Sequence, residues 1–303
     1  MNGGIRKVLS WTRMLTEFVL VCSYSLSVEL SKTIFHIVVP RKCKDIKGET
    51  VLVTGAARGI GRELALKLST LGCHVICVDI NAEGIMRTAQ DIVKMGHKAQ
   101  AYTCDVTDNT AVEELAKKVG YVDILVNNAG LLYFDPILNT PPSSVSKVLE
   151  TNVASHFLMI RNFLPGMLER NKGHIVAIAS CCGLIALANV TLYTSSKYAV
   201  VGLMGSLTEE LKLLGRSNIK TTCVCPYLVR TIPEIDSEVD ARIPPLEAVD
   251  AAREIVKGIL QERGMFTVPN YLRSVITTYS LLPDNTSSRL KDVIYTRIKH
   301  GVM

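Results

Sequence analysis

The sequence predicts an α/β fold in which helices cover both faces of a doubly wound parallel sheet of about seven strands. From Glu49 onward, short apolar runs alternate with segments in which apolar residues recur at helical spacing. Several of these apolar runs are followed closely by a polar residue or a proline. Because parallel strands end at the same edge of a sheet, we expect a ligand site along that edge. The residues concerned are Asp79, Asp105, Asn128, Ser180 and Pro226.

The alternation assigns the elements in chain order. Each predicted strand is a short apolar run, and each predicted helix carries an apolar stripe at helical spacing. Gly215 and Pro226 end the last predicted helix and the last predicted strand, as glycine and proline commonly do. We predict strands over 51–54, 74–78, 99–106, 122–126, 173–180 and 219–225, and helices over 63–71, 81–96, 109–119, 145–170 and 191–214.

The first strand leads into a glycine-rich turn with the spacing Gly-xxx-Gly-x-Gly, and a helix and a second strand follow it. Glycines let the backbone turn tightly and approach a pyrophosphate closely, and the free N–H groups of the helix N-terminus face its negative charge. The order of strand, turn, helix and strand therefore predicts a dinucleotide site. Its residues in the turn are Gly55, Arg58, Gly59, Ile60 and Gly61.

Asp79, at the end of the second strand, indicates which dinucleotide binds. A carboxylate at that position accepts hydrogen bonds from the adenosine ribose hydroxyls and repels a 2′-phosphate. Arg58 acts in the opposite direction, because a guanidinium in the turn pairs well with a phosphate. The acid beside the ribose should repel a phosphate more strongly than the arginine attracts it. We therefore expect NAD as the cofactor, with residual use of NADP.

Tyr193 and Lys197 are the candidate catalytic pair. They lie four residues apart at the start of a predicted helix and therefore on one face of it. A phenol is a poor base at neutral pH, and we expect a lysine cation beside it to stabilise the phenolate and lower its pKa. The pair can then move a proton to or from an alcohol oxygen while a nicotinamide moves the hydride. Ser180 can hold the substrate oxygen, and Asn152 can join a water relay or bond within its own helix.

Together these motifs resemble those of the short-chain dehydrogenases/reductases, over about residues 48 to 270. The resemblance implies a Rossmann-type sheet with the strand order 3-2-1-4-5-6-7. The residues that carry it are Thr54, Gly55, Gly59, Ile60, Gly61, Asp105, Val106, Asn127, Asn128, Ala129, Gly130, Asn152, Ser180, Tyr193 and Lys197.

The resemblance also implies roles for the catalytic residues. Tyr193 would be the acid/base, and Lys197 would bind the cofactor ribose and activate the phenol. Ser180 would stabilise the substrate oxygen, and Asn152 would take part in the proton relay. The resemblance further implies cofactor contacts from Asp105 and Val106 near the adenine, from Asn128, which also supports the central strand, and from Ala129, Gly130, Pro226 and Thr231.

Several further stretches resemble a membrane-associated branch of this family that contains 17β-hydroxysteroid dehydrogenases and epidermal retinol dehydrogenase. That resemblance implies a lipid substrate and an endoplasmic-reticulum or lipid-droplet surface. Tyr227 departs from the family pattern, which often has glycine after the proline, and we expect it to reshape the nicotinamide side of the pocket. Residues 232–245 would form a variable substrate lid. The resembling stretches are the apolar N-terminus, 79–81, 169–176 and 214–226.

Composition excludes some classes of function. The net charge of +6 is mild, and no patch of interleaved aromatic and basic residues indicates nucleic-acid binding. The nine cysteines lie mostly in apolar runs, without zinc-ribbon spacing or a histidine cluster, so we expect buried free thiols and no metal site. The odd cysteine count in a chain of this size also argues against a disulfide scaffold and favours a reducing compartment.

Residues 1–44 differ from the rest of the chain. They contain two apolar runs with basic flanks, and neither run is long enough to span a bilayer alone. Glu17, Glu29 and Lys32 would be unfavourable inside hydrocarbon. We favour a tilted or monotopic membrane anchor whose flanks touch anionic headgroups. A cleaved secretory signal is the alternative, although no small-x-small cleavage site follows the first run, and the orientation stays open.

The sequence therefore divides into an anchor at 1–44, a dinucleotide-binding domain at 45–270 and an extension at 271–303. The extension has an apolar stretch at 271–282 and a basic amphipathic stretch at 289–299. It can cap the substrate pocket, pair with another subunit, lie on a membrane or form an ordinary surface helix. The sequence leaves these four alternatives open.

We predict an NAD-dependent oxidoreductase that interconverts a hydrophobic alcohol, such as a retinoid or a steroid, and its carbonyl. Its catalytic domain would face the cytosol from an endoplasmic-reticulum or lipid-droplet surface, as a homodimer. One alternative is a lipid-surface scaffold that keeps the fold and turns over little substrate, but the complete Ser-Tyr-Lys set speaks against it. Another is a soluble reductase with an unrelated leader.

Overall fold

The computed structural model describes residues 41–231 and 239–283 continuously, together with 286, 296–298 and scattered positions between 11 and 39. The chain divides into two compact units, residues 1–43 and residues 44–303. The elements labelled below all belong to the second unit.

In the first unit, the described residues between 11 and 31 are helical. Hydroxyl groups there donate to the carbonyl four residues earlier, as Ser23 does to Val19 at 2.6 Å. Among the residues that the structure describes, no helix is both long enough and apolar enough to cross a membrane. Most of the predicted anchor lies outside the described residues, so the anchor stays a prediction.

A parallel sheet of seven strands forms the centre of the second unit. Its strands are β1 (Thr50–Thr54), β2 (His74–Asp79), β3 (Lys98–Thr103), β4 (Ile124–Asn127), β5 (Gly173–Ile178), β6 (Ile219–Pro226) and β7 (Met265–Val268). Their spatial order is β3-β2-β1-β4-β5-β6-β7, and every neighbouring pair is parallel. The predicted fold class and strand order are therefore confirmed.

Helices cover both faces of this sheet. They are α1 (Gly59–Thr70), α2 (Ala82–Lys94), α3 (Asn109–Val119), α4 (Pro142–Leu149), α5 (Ser155–Arg170), α6 (Thr191–Leu213), α7 (Ala248–Leu260) and α8 (Leu272–Ser280). A π-turn, Glu150–Ala154, joins α4 to α5. Two short strand pairs also form, Val229–Arg230 with Leu246–Glu247 and Val239–Ala241 with Thr296–Ile298.

The two faces of the sheet bury separate apolar cores. Successive strand residues point to opposite faces, so Val51 and Val53 belong to the core under α1, α2 and α7, whereas Leu52 belongs to the core under α3, α5 and α6. Burial on both faces explains why the inner strands β1, β2, β4 and β5 are mostly continuous apolar runs, whereas the edge strand β3 alternates between exposed and partly buried residues.

Several predicted boundaries differ from the structure. Helix α1 begins at Gly59 and not at residue 63, so the second half of the glycine-rich motif forms its first turn. Strands β3 and β5 end at Thr103 and Ile178, and Asp105 and Ser180 therefore lie in the loops beyond them. In each case the motif residues lie just beyond the end of a strand. The backbone there no longer pairs with a neighbouring strand and can face a ligand.

We predicted no bounds for a helix or strand between residues 226 and 269, yet α7 and β7 lie there. The signal for α7 was present, because its buried residues recur at helical spacing. The signal for β7 was weak, since it is a four-residue strand. The buried residues of α7 are Ala251, Ala252, Ile255, Val256, Gly258 and Ile259.

Asp123 links several segments of the chain at the amino-terminal edge of the sheet. Its carboxylate accepts the N–H of Thr50 at 2.9 Å and the guanidinium of Arg170 at 2.8 Å, and it lies 3.6 Å from the ammonium of Lys172. Burial on its own raises the pKa of Asp123, but these three donors hold that pKa below its usual value. The stabilisation is therefore complete above the usual carboxyl pKa and is lost as pH falls through the lowered one.

We expect Asp123→Ala to lower the free energy of unfolding by roughly 2 kcal/mol at neutral pH, because the charged hydrogen bonds from Arg170 and from the N–H of Thr50 are lost. Urea unfolding of the detergent-solubilised full-length protein measures this. Asp250→Ala is the control, since its pair with Arg253 is exposed and should contribute less than about 1 kcal/mol. Equal effects of the two substitutions would contradict the assignment.

Candidate active site

A cleft of about 860 Å³ opens at the carboxyl edge of the sheet. Its walls contain most of the residues predicted for the site. Gly61 and Asn152 were also predicted for the site, but they do not line the cleft. The predicted residues in its walls are Gly55, Arg58, Gly59, Ile60, Asp79, Asp105, Val106, Asn128, Ala129, Gly130, Ser180, Tyr193, Lys197, Pro226 and Thr231.

The glycine-rich turn fits a pyrophosphate. Gly59 has a φ of +57°, a value that favours glycine, and a Cβ on Gly61 would lie 2.1 Å from the carbonyl oxygen of Gly55. Helix α1 has no acidic residue in its first turn, and the Arg58 side chain makes no capping hydrogen bond within the described chain. The first N–H groups of α1 are therefore available to an anion in the cleft.

The Asp79 carboxylate is held by two backbone N–H groups. One oxygen accepts from Ala57 at 3.1 Å, and the other accepts from Asn81 at 3.0 Å. These bonds join the end of β2 to the glycine-rich turn and fix the carboxylate in the cleft wall. Arg58 also lines the cleft, but its side chain is exposed to solvent.

Thr54 and Asn128 join the carboxyl ends of β1 and β4. The Thr54 hydroxyl accepts the N–H groups of Asn128 and Ala129 at 2.9 and 3.0 Å. The Asn128 amide donates to the carbonyl of Thr54 at 2.9 Å and to that of Gly55 at 3.3 Å. The implied support of the central strand by Asn128 is thus visible as hydrogen bonds, and the same bonds fix the glycine-rich turn against the next loop.

Ser180, Tyr193 and Lys197 come together in one wall of the cleft. Tyr193 lies in the first turn of α6, and the Ser180 side chain lies close enough to its phenol to act on the phenol's pKa. The Ser180 oxygen also accepts the N–H of Cys182 at 3.1 Å. Lys197 is 4% exposed, donates to the carbonyl of Ile178 at 3.0 Å and lies 5.6 Å from the centroid of the Tyr193 ring.

Burial controls the protonation of this pair. Burial raises the pKa of the Tyr193 phenol above its usual value, and the nearby Ser180 side chain only partly opposes this shift. Burial likewise lowers the pKa of Lys197 to about 8. The prediction that the lysine lowers the phenol's pKa is therefore wrong for the protein alone, because a wall of low polarity disfavours the charged form of both groups.

Asn152 lies in the π-turn and is fully buried. Its amide accepts the N–H of Leu131 at 2.7 Å and donates to the Leu131 carbonyl at 2.9 Å and to the Ser196 hydroxyl at 3.0 Å. Its bonds therefore join the loop after β4 to helix α6 and do not lie within its own helix. A π-turn displaces a side chain from the regular helical position, and nothing in the sequence signalled it.

The apolar walls of the cleft were not identified from the sequence. Helix α8 contributes Leu272, Val275, Ile276 and Tyr279, which recur at the spacing of one helix face. That spacing is readable in the sequence and agrees with the alternative in which the extension caps the pocket. Other apolar residues of the wall are Leu131, Leu132, Phe134, Ile185, Leu187, Leu228 and Ile243.

Tyr227, the departure from the family pattern, also lines the cleft. Its hydroxyl donates to the carbonyl of Ile243 at 3.3 Å, and its N–H donates to the carbonyl of Val268 at 2.7 Å. The side chain therefore joins the end of β6 to the segment that follows residue 239. A glycine at this position would leave that contact unmade.

Comparisons with known proteins agree with this geometry. The family model described as short chain dehydrogenase matches residues 49–240. Human 17-beta-hydroxysteroid dehydrogenase 13 is 37% identical over 257 residues, which cover 83% of this chain and 85% of the relative. Short-chain dehydrogenase/reductase family 16C member 6 from Bos taurus is 38% identical and covers 83% and 84%. Estradiol 17-beta-dehydrogenase 11 from Pongo abelii is 35% identical and covers 92% and 91%.

Solved structures show the same fold. A metagenomic short-chain oxidoreductase in complex with NADP has a TM-score of 0.62 at 29% identity, covering 73% of this chain and 94% of that one. A short chain dehydrogenase/reductase from Burkholderia phymatum in complex with NAD has a TM-score of 0.71 and covers 86% and 99%, and at 23% identity this likeness concerns the fold alone. The family model covers more than half of the chain, and the turn described above fits a dinucleotide pyrophosphate. The chain therefore belongs to the short-chain dehydrogenase/reductase family and is an oxidoreductase whose cofactor is a nicotinamide dinucleotide, NAD or NADP.

Proposed function

We propose that the protein interconverts a hydrophobic alcohol and its carbonyl, with Tyr193 as the acid/base. The observation that carries the proposal is the position of Tyr193, which lies with Ser180 and Lys197 in the wall of a cleft that fits a dinucleotide. In oxidation, the Tyr193 phenolate accepts the proton of the alcohol, and in reduction the phenol returns a proton to the carbonyl oxygen. The nicotinamide, when bound, supplies or accepts the hydride.

The neighbouring residues support this proton transfer. The Ser180 hydroxyl is placed to hold the substrate oxygen, since Ser180 and Tyr193 line the same cleft. Lys197 would bind the cofactor ribose and place a positive charge near the phenolate. Asn152 would act at a distance from the substrate, because its amide fixes the loop after β4 against α6. We therefore propose that Asn152 positions other residues. Its part in a proton relay, which the resemblance to the family implies, stays a prediction.

Different residues of the cleft would bind different parts of the cofactor. The N-terminus of α1 would take the pyrophosphate, and Asp79 would accept the adenosine ribose hydroxyls. Lys197 and Tyr193 would face the nicotinamide ribose, and Thr231 could reach the carboxamide. The other residues assigned to cofactor binding are Gly55, Arg58, Gly59, Ile60, Gly61, Asp105, Val106, Asn128, Ala129, Gly130 and Pro226.

We propose that NAD is preferred over NADP. The Asp79 carboxylate is fixed in the wall by Ala57 and Asn81, so it cannot easily turn away from a 2′-phosphate. Arg58 is exposed, and the attraction between an exposed guanidinium and a phosphate is screened by water. The repulsion of a 2′-phosphate by Asp79 should therefore exceed its attraction to Arg58.

Asp79→Ala should raise the affinity for NADPH by roughly tenfold or more, because it removes a like charge whose repulsion is at least about 1.4 kcal/mol. NADPH and NADH titrations followed by nucleotide fluorescence measure the change. Asp250→Ala removes the same charge at an exposed position on α7 and should leave both affinities unchanged. An unchanged ratio of the two affinities in Asp79→Ala would remove the ribose assignment.

We propose a large apolar substrate, such as a retinoid, a steroid or another lipid alcohol. The part of the cleft beyond Tyr193 is walled by apolar side chains from the loop after β4, from the segment after β6 and from α8. Such walls bind an alcohol through its hydrocarbon body, and they provide few partners for additional polar groups. A small polar alcohol would bind weakly there.

Tyr193→Phe should lower alcohol oxidation at least about a hundredfold, because it removes the proton acceptor. NADH formation with NAD⁺ and a panel of retinol, steroids and long-chain alcohols measures this. Oxidation by the wild type should also accelerate as pH rises, since the phenolate fraction grows about tenfold per pH unit below the pKa that the phenol has with the cofactor bound.

Tyr198→Phe is the matched control, because Tyr198 lies on the same helix with its side chain 44% exposed. It should turn over the panel at the wild-type rate. NADH binding should persist in both variants. NADH binding by the wild type without turnover of any alcohol would favour the alternative of a lipid-surface scaffold.

We propose that residues 1–44 anchor the protein to an endoplasmic-reticulum or lipid-droplet surface, with the domain at 45–270 in the cytosol and helix α8 of the extension over the pocket. The support is the pair of apolar runs with basic flanks and the apolar substrate, which is concentrated at such surfaces. We also propose a homodimer, an assembly that the resemblance to the family implies.

A variant that lacks residues 1–40 should leave the membrane fraction and remain folded, because the second compact unit begins at Lys44. Fractionation of cells that express the full-length and truncated chains tests this, with NADH binding as the measure of folding. A full-length chain found in the soluble fraction would rule out the anchor and favour a soluble reductase.

A further inference from the structure

Two buried side chains on the α5 side of the sheet have unpaired polar atoms. His156 is 1% exposed and Asn127 is 2% exposed. Among the residues that the structure describes, neither ring nitrogen of His156 and neither amide atom of Asn127 has a hydrogen-bond partner. Buried polar groups in folded proteins are almost always paired, so these four atoms require a physical account.

Both side chains face the layer between the sheet and helix α5. Asn127 ends β4, and Leu125, two residues earlier and so on the same face, belongs to the core that contains Phe163 of α5. His156 lies seven residues before Phe163, which places it on the same stripe of the helix. The two polar side chains therefore enter one layer.

They also lie at the same end of that layer. The C-terminal end of α5 lies at the amino edge of the sheet. The evidence is the contact between Met167, near that end of the helix, and Gly173, the first residue of β5: a Cβ atom on Gly173 would lie 2.5 Å from the Met167 side chain. The first turn of α5, with His156, is therefore at the carboxyl edge, where Asn127 ends its strand. Lys197 bonds to the carbonyl of Ile178 at this same edge.

The imidazole is neutral, and the charge of Lys197 acts on its pKa. Burial first, and then the positive charge of Lys197, lower the pKa of His156 to about 3. A neutral imidazole offers one N–H donor and one acceptor nitrogen, and the Asn127 amide offers donors and an acceptor. A single direct bond between the two side chains would still leave polar atoms unpaired. More than one ordered water, each with two to four partners, satisfies all of them.

We propose that Asn127 and His156 hold ordered water between the sheet and helix α5, and that this water accepts a hydrogen bond from the ammonium group of Lys197. The two residues are then positioning residues: they act through the water to favour the charged lysine in a wall where burial disfavours it. This role rests on the proposed oxidoreductase function. The other titratable groups around the ammonium are Tyr193, Cys182, Cys223 and Cys225.

The pKa of Lys197 measures this arrangement directly. ¹³C NMR of the full-length protein in detergent, with ¹³C-labelled lysine, gives that pKa, and Lys197→Arg assigns the signal. His156→Phe removes both ring nitrogens, and we expect the pKa of Lys197 to fall by about one unit, a tenfold change in the ratio of charged to neutral lysine. His156→Gln keeps a donor and an acceptor and should restore most of the shift.

Phe163→Leu is the control for disturbed packing, since Phe163 lies on the same face of α5 two turns away. It should leave the pKa of Lys197 unchanged. If His156→Phe does not fold, Asn127→Leu carries the same test, because leucine matches asparagine in size without its polar atoms. An unchanged pKa of Lys197 in the variant that folds would overturn the proposal.

A crystal structure of the wild-type full-length protein, at a resolution that shows water, provides the second test. We expect a water within hydrogen-bonding distance of both Asn127 and His156. Side chains that bond only to protein atoms would overturn the proposal. Neither measurement depends on turnover, so a failure of the alcohol panel would remove the proposed function without deciding the presence of the water.

Discussion

The hydrogen bonds between Thr54 and Asn128 are the contact on which the site depends. They join the ends of β1 and β4, the two neighbouring strands from which the chain continues in opposite directions across the sheet. A crevice forms outside the carboxyl ends of strands at such a point, and ligands of doubly wound sheets bind there. The same bonds fix Gly55 relative to the loop at 128–130, so they set both the shape of the turn and the width of the cleft.

Burial supplies the second constraint, because it works against the charges that the chemistry needs. The Tyr193 phenol is harder to ionise than in water, and the Lys197 ammonium loses its proton more easily. In the protein alone, the wall therefore favours neutral groups. An oxidised nicotinamide carries a positive charge, and Tyr193 would give up its proton readily only with such a charge nearby. The base would then form when the oxidised cofactor is bound, which couples proton transfer to cofactor binding.

The sequence predicted the parts of the molecule that follow local rules. The glycine-rich turn and the placement of Asp79, Ser180 and Tyr193 come from residues whose spacing has a direct physical meaning, whereas the strand order came from the resemblance to the family. The wrong or missing parts depend on tertiary context. The direction of the Tyr193 pKa shift requires the burial of the whole wall, and the contacts of Asn152 require a π-turn. The unpaired atoms of His156 can be recognised only after α5 is placed on the sheet.

Chemistry and specificity lie in different parts of the chain. The residues that would handle the proton and the cofactor sit on the sheet edge and on α6, and they match the family pattern. The apolar walls come from the segment after β6 and from α8, and Tyr227, which joins β6 to that segment, departs from the pattern. A hydrophobic substrate is recognised mainly by the shape of the apolar surface around it, so changes in these segments can alter the substrate while the site keeps its reaction. Substrate choice therefore depends on the part of the sequence with the weakest local signals, and on contacts that join segments distant in the chain.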